Sequence, residues 1–290
     1  SFYLMTKLAR DLSLYRKGYT FNSSNVLTLT NPKVLKSESI APTAVLHMLP
    51  TKVACPAAGT CALVCLNTAG NPAYLKGKLA CRARRDKAFR DSPNKFLRLL
   101  TIEVMRFYSK NRDHDLLGLR LNGTSDYHWE SIAVTITEDD SKFILKKFNI
   151  NVNSGRYDSI LLAITNAYDY LKEARVGDTL KPYDYTKRID RDFIKAQNMG
   201  YHLTLSWGSK FDTLQTALKN QLNLAAAFDI GRNKPLPETI TIKDRTYKVL
   251  DGDKTDWRVG DLNDDTYIVG LRFKRVPNMT DALKKSFCIA

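Results

Sequence analysis

Apolar residues along the chain gather into short β-type runs separated by stretches of helical period. Seven runs read as strands: "AVLHMLP" from Ala44, "LLGLRLNGTSD", "KPYDYTKR", "YHLTLSWG", "LNLAAAFDIG", "ETITIKDRTYKVLDGD" and "TYIVGLRFKR". Among them, "NKFLRLLTIEVMRFYSK" places Phe96, Leu99, Leu100, Val104 and Phe107 at helical spacing. "DSILLAITNAYDYLKEA" and "FDTLQTALKNQ" also read as helices, and "RDFIKAQNMG" as a helix stopped by Gly200. Strands alternating with helices predict a parallel sheet with helices packed outside it.

The strand ends sharpen that expectation. In order they read Asn122-Gly-Thr-Ser-Asp126, Asp184-Tyr-Thr-Lys-Arg188, Ser206-Trp207, Asp229 and Asp251-Gly-Asp253. Polar residues at the C-terminal ends of successive strands mark the site face of a β/α barrel. An open doubly wound sheet also binds ligands there. The preferred expectation is an α/β fold in one domain: a partial or complete (β/α) barrel over residues 41–290, preceded by an N-terminal extension over 1–40. No repeat, low-complexity tract or linker divides the chain.

Composition and charge add two constraints. Apolar residues make up 43% of the 290 positions, enough for a substantial core. No run reaches the roughly 18 apolar residues of a membrane helix. "SFYLMTKLARDLSLYRKGYTF" lacks the uninterrupted core of a signal peptide, and Cys288 does not fit a prenylation box. A soluble cytosolic protein without membrane association is expected. Its net charge of +15 favours polyanionic partners, nucleic acid or nucleotide. The densest basic patch, "KGKLACRARRDKAFR", aligns Lys78, Arg82 and Arg85 along one side if helical; a solvated surface helix is the plainer reading.

The chemistry of the chain concentrates between residues 52 and 81. Cys55, Cys61 and Cys65 form C-x5-C-x3-C, and Cys81 follows after fifteen residues. Clustered thiols in a reducing compartment are metal ligands or redox groups more often than disulfides. Four thiolates suit zinc or an iron–sulfur cluster. The small residues around them let backbone N–H groups approach sulfur.

A strand leading into a three-cysteine loop at the start of a β/α barrel resembles the layout of radical S-adenosylmethionine enzymes. There, three thiolates hold a [4Fe-4S] cluster, and S-adenosylmethionine takes the open iron. The spacing differs from that superfamily's C-x3-C-x2-C, and its glycine-rich segment has no clear counterpart here. A closer resemblance lies in "CPAAGTCALVCLNTAGNP", "RLNGTSDYHWE", "YDYTKR", "YHLTLSWG" and "LDGDKTDWRVGD" followed by "YIVGLRFK". These segments, from about residue 50 to 275, are similar to the bacteriophage gene product 88 family. The resemblance implies a phage protein of the host cytoplasm and places Cys55, Cys61 and Cys65 in the family pattern. It makes Cys81 a small residue in most members, so the fourth position is open or held by another group such as His128.

The remaining polar positions fill out the expected site. Asp126, Lys187, Asp251 and Asp253 are the candidate catalytic groups. Asn122, Ser125, Arg188, Ser206 and Arg258 are the candidate cofactor contacts, the two arginines suiting phosphate or carboxylate. His128 and Glu130 in "SDYHWE" could join them, or simply begin a helix. The expected function is a phage metal protein with a [4Fe-4S] cluster on Cys55, Cys61 and Cys65, with Cys81 as a further candidate ligand. It would act on nucleotides or nucleic acid, with S-adenosylmethionine as a conceivable second cofactor. The alternative is a nucleic-acid-binding or processing protein in which the metal, zinc or iron–sulfur, only braces the fold. A weaker third reading is a morphogenesis or host-takeover factor acting by protein contacts.

Overall fold

Seven parallel strands, one from each of the seven apolar runs, build the centre of a single sheet. The computed structural model describes residues 26–29, 40–62, 65, 72–208, 211–274 and 280–289. The first half runs β1 (Leu27–Thr28), β2 (Thr43–Leu46), α1 (Pro72–Asp91), α2 (Pro93–Lys110), β3 (Leu117–Arg120), β4 (Val134–Ile136) and α3 (Glu138–Phe148). Next come β5 (Ile150–Asn151), β6 (Gly155–Tyr157), α4 (Ile160–Thr165), β7 (Tyr168–Asp169), β8 (Ala174–Arg175) and α5 (Val176–Thr179). Then follow β9 (Leu180–Thr186), α6 (Phe193–Asn198), β10 (His202–Ser206), α7 (Phe211–Lys219) and β11 (Leu224–Phe228). The chain ends with β12 (Thr239–Ile242), β13 (Arg245–Asp251), β14 (Ile268–Arg272) and α8 (Asp281–Phe287).

The sheet order is β1-β2-β3-β9-β10-β11-β14-β13-β12. Strands from β2 to β13 are parallel, while β1 and β12 pair antiparallel at the two edges. Among the described residues β1 and β12 do not meet, so the sheet is open and the expected complete barrel does not form. Two features oppose closure. Strand β14 inserts between β11 and β13, breaking the sequential winding, and the β12–β13 hairpin carries exposed Thr239, Thr241, Arg245, Thr246 and Lys248 on its edge. Within the expected extension, residues 1–25 and 30–39 lie outside the described residues, whereas β1 joins the sheet.

Side-chain alternation gives the sheet two unlike faces. One carries Leu203, Leu205, Leu224, Ala226 and Phe228 into the main core, where α2 contributes Phe96, Leu100, Val104 and Met105. The sequence marks α2 clearly: Pro93 opens it without losing a needed donor, and its apolar stripe is long. Helix α3 starts at a capping box in which Thr137 and Asp140 exchange hydrogen bonds, and Arg98 ties it to α2 through Asp140 at 2.6 and 2.9 Å. The opposite sheet face carries a small second core of Ala41, Tyr183 and Trp257.

One helix is much shorter than expected. "DSILLAITNAYDYLKEA" is helical only over α4, where the Ser159 hydroxyl accepts from the Leu161 N–H at 3.0 Å. After Asn166 the chain extends into β7, between β5 and β8, and buried Asp169 accepts from Arg112 Nε at 2.7 Å. A tertiary ion pair thus overrides local helical period.

Candidate functional site

Parallel strands put the ends of β2, β3, β9 and β10 on one rim, where the cysteine loop lies. Local turns shape it: Cys55 N–H donates to the Thr51 carbonyl at 2.8 Å, and Cys61 N–H to that of Ala58 at 2.8 Å. Gly59 supplies a left-handed φ of +48° at the start of the short 3₁₀ turn. The loop is stitched to the segment after β3. Asp126 N–H donates to the Ala54 carbonyl at 2.7 Å, and the Thr124 hydroxyl to that of Met48 at 2.6 Å. Gly123 makes this close approach possible, since a Cβ there would sit 2.5 Å from Val45 Cγ1 and 2.8 Å from the Leu46 oxygen.

Asn122 organises that turn. Its side-chain oxygen accepts from Ser125 Oγ at 3.0 Å, Tyr127 N–H at 2.9 Å and Trp129 Nε1 at 2.9 Å, and its Nδ2 donates to the Tyr127 carbonyl at 2.9 Å. Such saturation makes Asn122 and Ser125 turn-builders in this state.

The thiols act on one another. Burial first, then the charges of Asp126, Cys65 and Cys61, together push Cys55 up to about 12. Burial also raises Cys61, while nearby Lys187 pulls it down. Lys187 is itself lowered by burial and sustained by Cys61 and Asp126; its Nζ donates to the Trp207 carbonyl at 2.7 Å and lies 5.6 Å from the Phe287 ring centroid. Arg82, on α1, is buried within reach of the Cys65 charge. Cys55, Cys61, Cys65, Asp126 and Lys187 therefore form one neighbourhood.

Beneath it lies a buried ion network. Asp126 accepts from Lys187 N–H at 2.9 Å and from Arg191 Nη1 at 3.2 Å. Arg191 also grips Glu130 with Nε at 3.0 Å and Nη2 at 2.6 Å. Burial raises the Asp126 carboxyl, opposed by the Thr186 hydroxyl and Arg191. Asp184, inside β9, accepts from the Leu121 and Asn122 N–H groups at 3.1 and 3.0 Å and from Tyr201 Oη at 2.8 Å; burial lifts it to about 6.

The other expected positions are dispersed. Cys81 sits on α1 and accepts from Arg84 Nη2 at 3.0 Å, apart from the groups acting on Cys55 and Cys61. Asp251 and Asp253 hold Arg272, whose Nη1 lies 3.0 and 3.1 Å from their carboxylates, and so fasten β13 to β14. Arg188 is paired with Asp190 at 3.0 and 2.7 Å, and His128 Nε2 lies 3.7 Å from Asp190. Ser206 ends β10, half-buried, and Arg258 is buried on the second sheet face. The expected basic stripe is corrected in part: Arg82 and Arg85 are buried, and Arg85 Nη1 donates to the His47 carbonyl at 3.1 Å. Arg191 carries no local signal in the sequence. Asp184, expected at a strand end, lies inside β9, where a carboxylate among Tyr183 and Tyr185 is itself a signal.

Among the described residues, no three or more His, Cys, Asp or Glu side chains are grouped to hold a metal ion. No helix among them is long and apolar enough to cross a membrane.

Fold and rim together define an α/β protein whose open, largely parallel sheet carries thiols and buried charges at its strand ends. The chain belongs to the bacteriophage gene product 88 family: the family model described as Gene product 88 matches residues 16–290. No curated protein and no solved structure matches it.

Proposed function

We propose that Cys55, Cys61 and Cys65 bind a metal centre through their thiolates, an iron–sulfur cluster, beside the Asp126–Lys187 pair. The supporting observation is the closeness of the thiols, Cys61 and Cys65 acting on Cys55 and Cys65 on Cys61, with Lys187 next to Cys61 and Arg82 next to Cys65. A thiolate-bound cluster is anionic, and buried Arg82 and half-buried Lys187 would offset that charge. The donor chemistry fits a soft metal. Among the described residues the side chains are not grouped for coordination, so holding a cluster would require the loop to rearrange. A bound cluster supplies an electron or an iron open to an external ligand. Around it, Asp126 holds the Lys187 backbone in place, and Lys187 Nζ offers a positive charge to an anionic substrate, a nucleotide or nucleic-acid phosphate.

Anaerobic purification with iron and acid-labile sulfide analysis tests the reading. Equal iron and sulfide, lost in Cys55→Ser, Cys61→Ser and Cys65→Ser and kept in Cys288→Ser, is the expected result. A colourless protein without iron overturns the cluster; stoichiometric zinc in its place supports a metal that only braces the fold. For that second reading the net charge of +15 is the favouring observation, and salt-dependent nucleic-acid binding is its check.

A further inference from the structure

The second face of the sheet holds a polar cluster that the thiol reading does not use. Register Leu119↔Pro182 brings Arg120 alongside Tyr183, and His202↔Tyr183 and Thr204↔Tyr185 extend the rows onto β10. The segment after β13 covers this face, with Trp257 5.3 Å from the Tyr183 ring and Arg258 buried nearby. A strand face in this position ordinarily presents apolar side chains. Here it presents arginine, tyrosine, histidine and threonine.

Several of these groups are buried without a hydrogen-bond partner. Arg120 is 4% exposed, and its guanidinium lies 5.7 and 5.3 Å from the Tyr183 and Tyr185 ring centroids. Its Nε makes no hydrogen bond; the closest carboxylate is Asp184, 3.8 Å away. Arg258 is 1% exposed with Nε unpartnered, although Nη1 lies 3.2 Å from Asp261 and Nη2 donates to the Thr255 carbonyl. His202 Nε2, Thr204 Oγ1 and Asp256 Oδ2 likewise lack partners. Burial, then Arg258, hold His202 down to about 4, so its imidazole is neutral. Buried polar groups are normally satisfied, and so many on one face call for a missing partner. His202 and Tyr185 are only half-buried although they lie on central strands, which leaves the cluster an approach from solvent.

We propose that this cluster binds the oxyanion, carboxylate or phosphate, of a small molecule that also carries a hydrogen-bond donor. The two guanidiniums receive the oxyanion, since Arg presents planar paired donors to such groups. Thr204 and neutral His202 complete its hydrogen bonds, and Asp256 accepts from the ligand's hydroxyl or ammonium. Asp184 and Asp261 keep the two arginines from presenting an unopposed double charge when the site is empty of anion. The site depends on none of the thiols, so it stands or falls separately from the metal centre.

The test is titration of the full chain with sodium phosphate, and separately with sodium acetate, against sodium chloride at matched ionic strength. The His202 imidazole resonance is followed by NMR. A saturable shift with phosphate identifies a phosphate group, one with acetate a carboxylate, and both outcomes support the site. In Arg120→Gln or Arg258→Gln, dissociation constants should rise by about tenfold or more, while Arg245→Gln, on the exposed hairpin, should match the wild type. An imidazole resonance that moves no more with either anion than with chloride overturns the proposal. So does an unchanged titration in Arg120→Gln. The wild-type measurement decides the question even if an arginine variant fails to fold.

Discussion

Arg191 grips Glu130 through two hydrogen bonds, at 3.0 and 2.6 Å, with both side chains fully buried. The pair joins the segment after β9 to the turn after β3 across 61 residues of sequence. The same guanidinium reaches Asp126, so one cation orders both carboxylates beneath the thiol loop. Removing it leaves two buried carboxylates uncompensated. Arg191→Ala should therefore destabilise the protein by about 3–5 kcal/mol. Urea denaturation followed by circular dichroism checks this, and a loss below about 1 kcal/mol would show the network to be dispensable.

Two buried groups give the protein opposite pH linkages. Asp184 rises from 3.8 to about 6, so between these pH values the folded state holds the extra proton and stability falls as pH rises. His202 drops from 6.5 to about 4; the unfolded state holds the extra proton there, and stability is lost as pH falls through that window. Each is worth up to about 3 kcal/mol, and in the native protein they largely cancel. Asp184→Asn should expose the histidine linkage, making the variant lose stability more steeply than wild type from pH 7 to 5. His202→Gln should do the reverse and gain stability on acidification relative to wild type. Thermal melts across that range check both signs; parallel curves for all three proteins would refute the assignment.

Much of the fold was legible because parallel strands buried on both sides leave continuous apolar runs, as in "LNLAAAFDIG". The rim was legible for a related reason: polar residues directly after such runs must lie at strand ends. What stayed hidden depends on which way a residue faces in three dimensions. Spacing aligned Arg82 and Arg85 on α1 but could not say that this side turns inward. Sheet order was hidden as well, since the insertion of β14 between β11 and β13 leaves no trace in local period.

Thiol chemistry offers a third prediction. In the metal-free protein, Cys55 at about 12 is a neutral thiol at pH 8 and should react with iodoacetamide at least about a hundredfold more slowly than in urea. Lys187 is the group that pulls Cys61 down. Lys187→Met should therefore slow Cys61 alkylation while leaving the rate at Cys81, on α1 beside Arg84, unchanged. Peptide mass spectrometry over a time course resolves the sites. Faster labelling of Cys61 in the variant would contradict the placement of Lys187.

The last prediction concerns how the loop is held. Gly123 N–H donates to the Leu46 carbonyl at 2.9 Å, bringing the turn after β3 against the end of β2. A methyl group at this position meets Val45 Cγ1 at 2.5 Å and the Leu46 oxygen at 2.8 Å, and the second contact is with backbone that cannot rotate away. Gly123→Ala should cost about 1–3 kcal/mol and push the turn from the strand. Because Asp126 N–H holds Ala54, next to Cys55, the displacement should reach the thiol loop. Cys55 should then become more accessible, so its alkylation should speed up while the protein remains folded. By contrast, Gly77→Ala, exposed inside α1 where a Cβ meets nothing within 4 Å, should raise stability by up to about 1 kcal/mol and leave Cys55 labelling as in the wild type. If Gly123→Ala loses stability without any change at Cys55, the turn and the thiol loop are not mechanically joined.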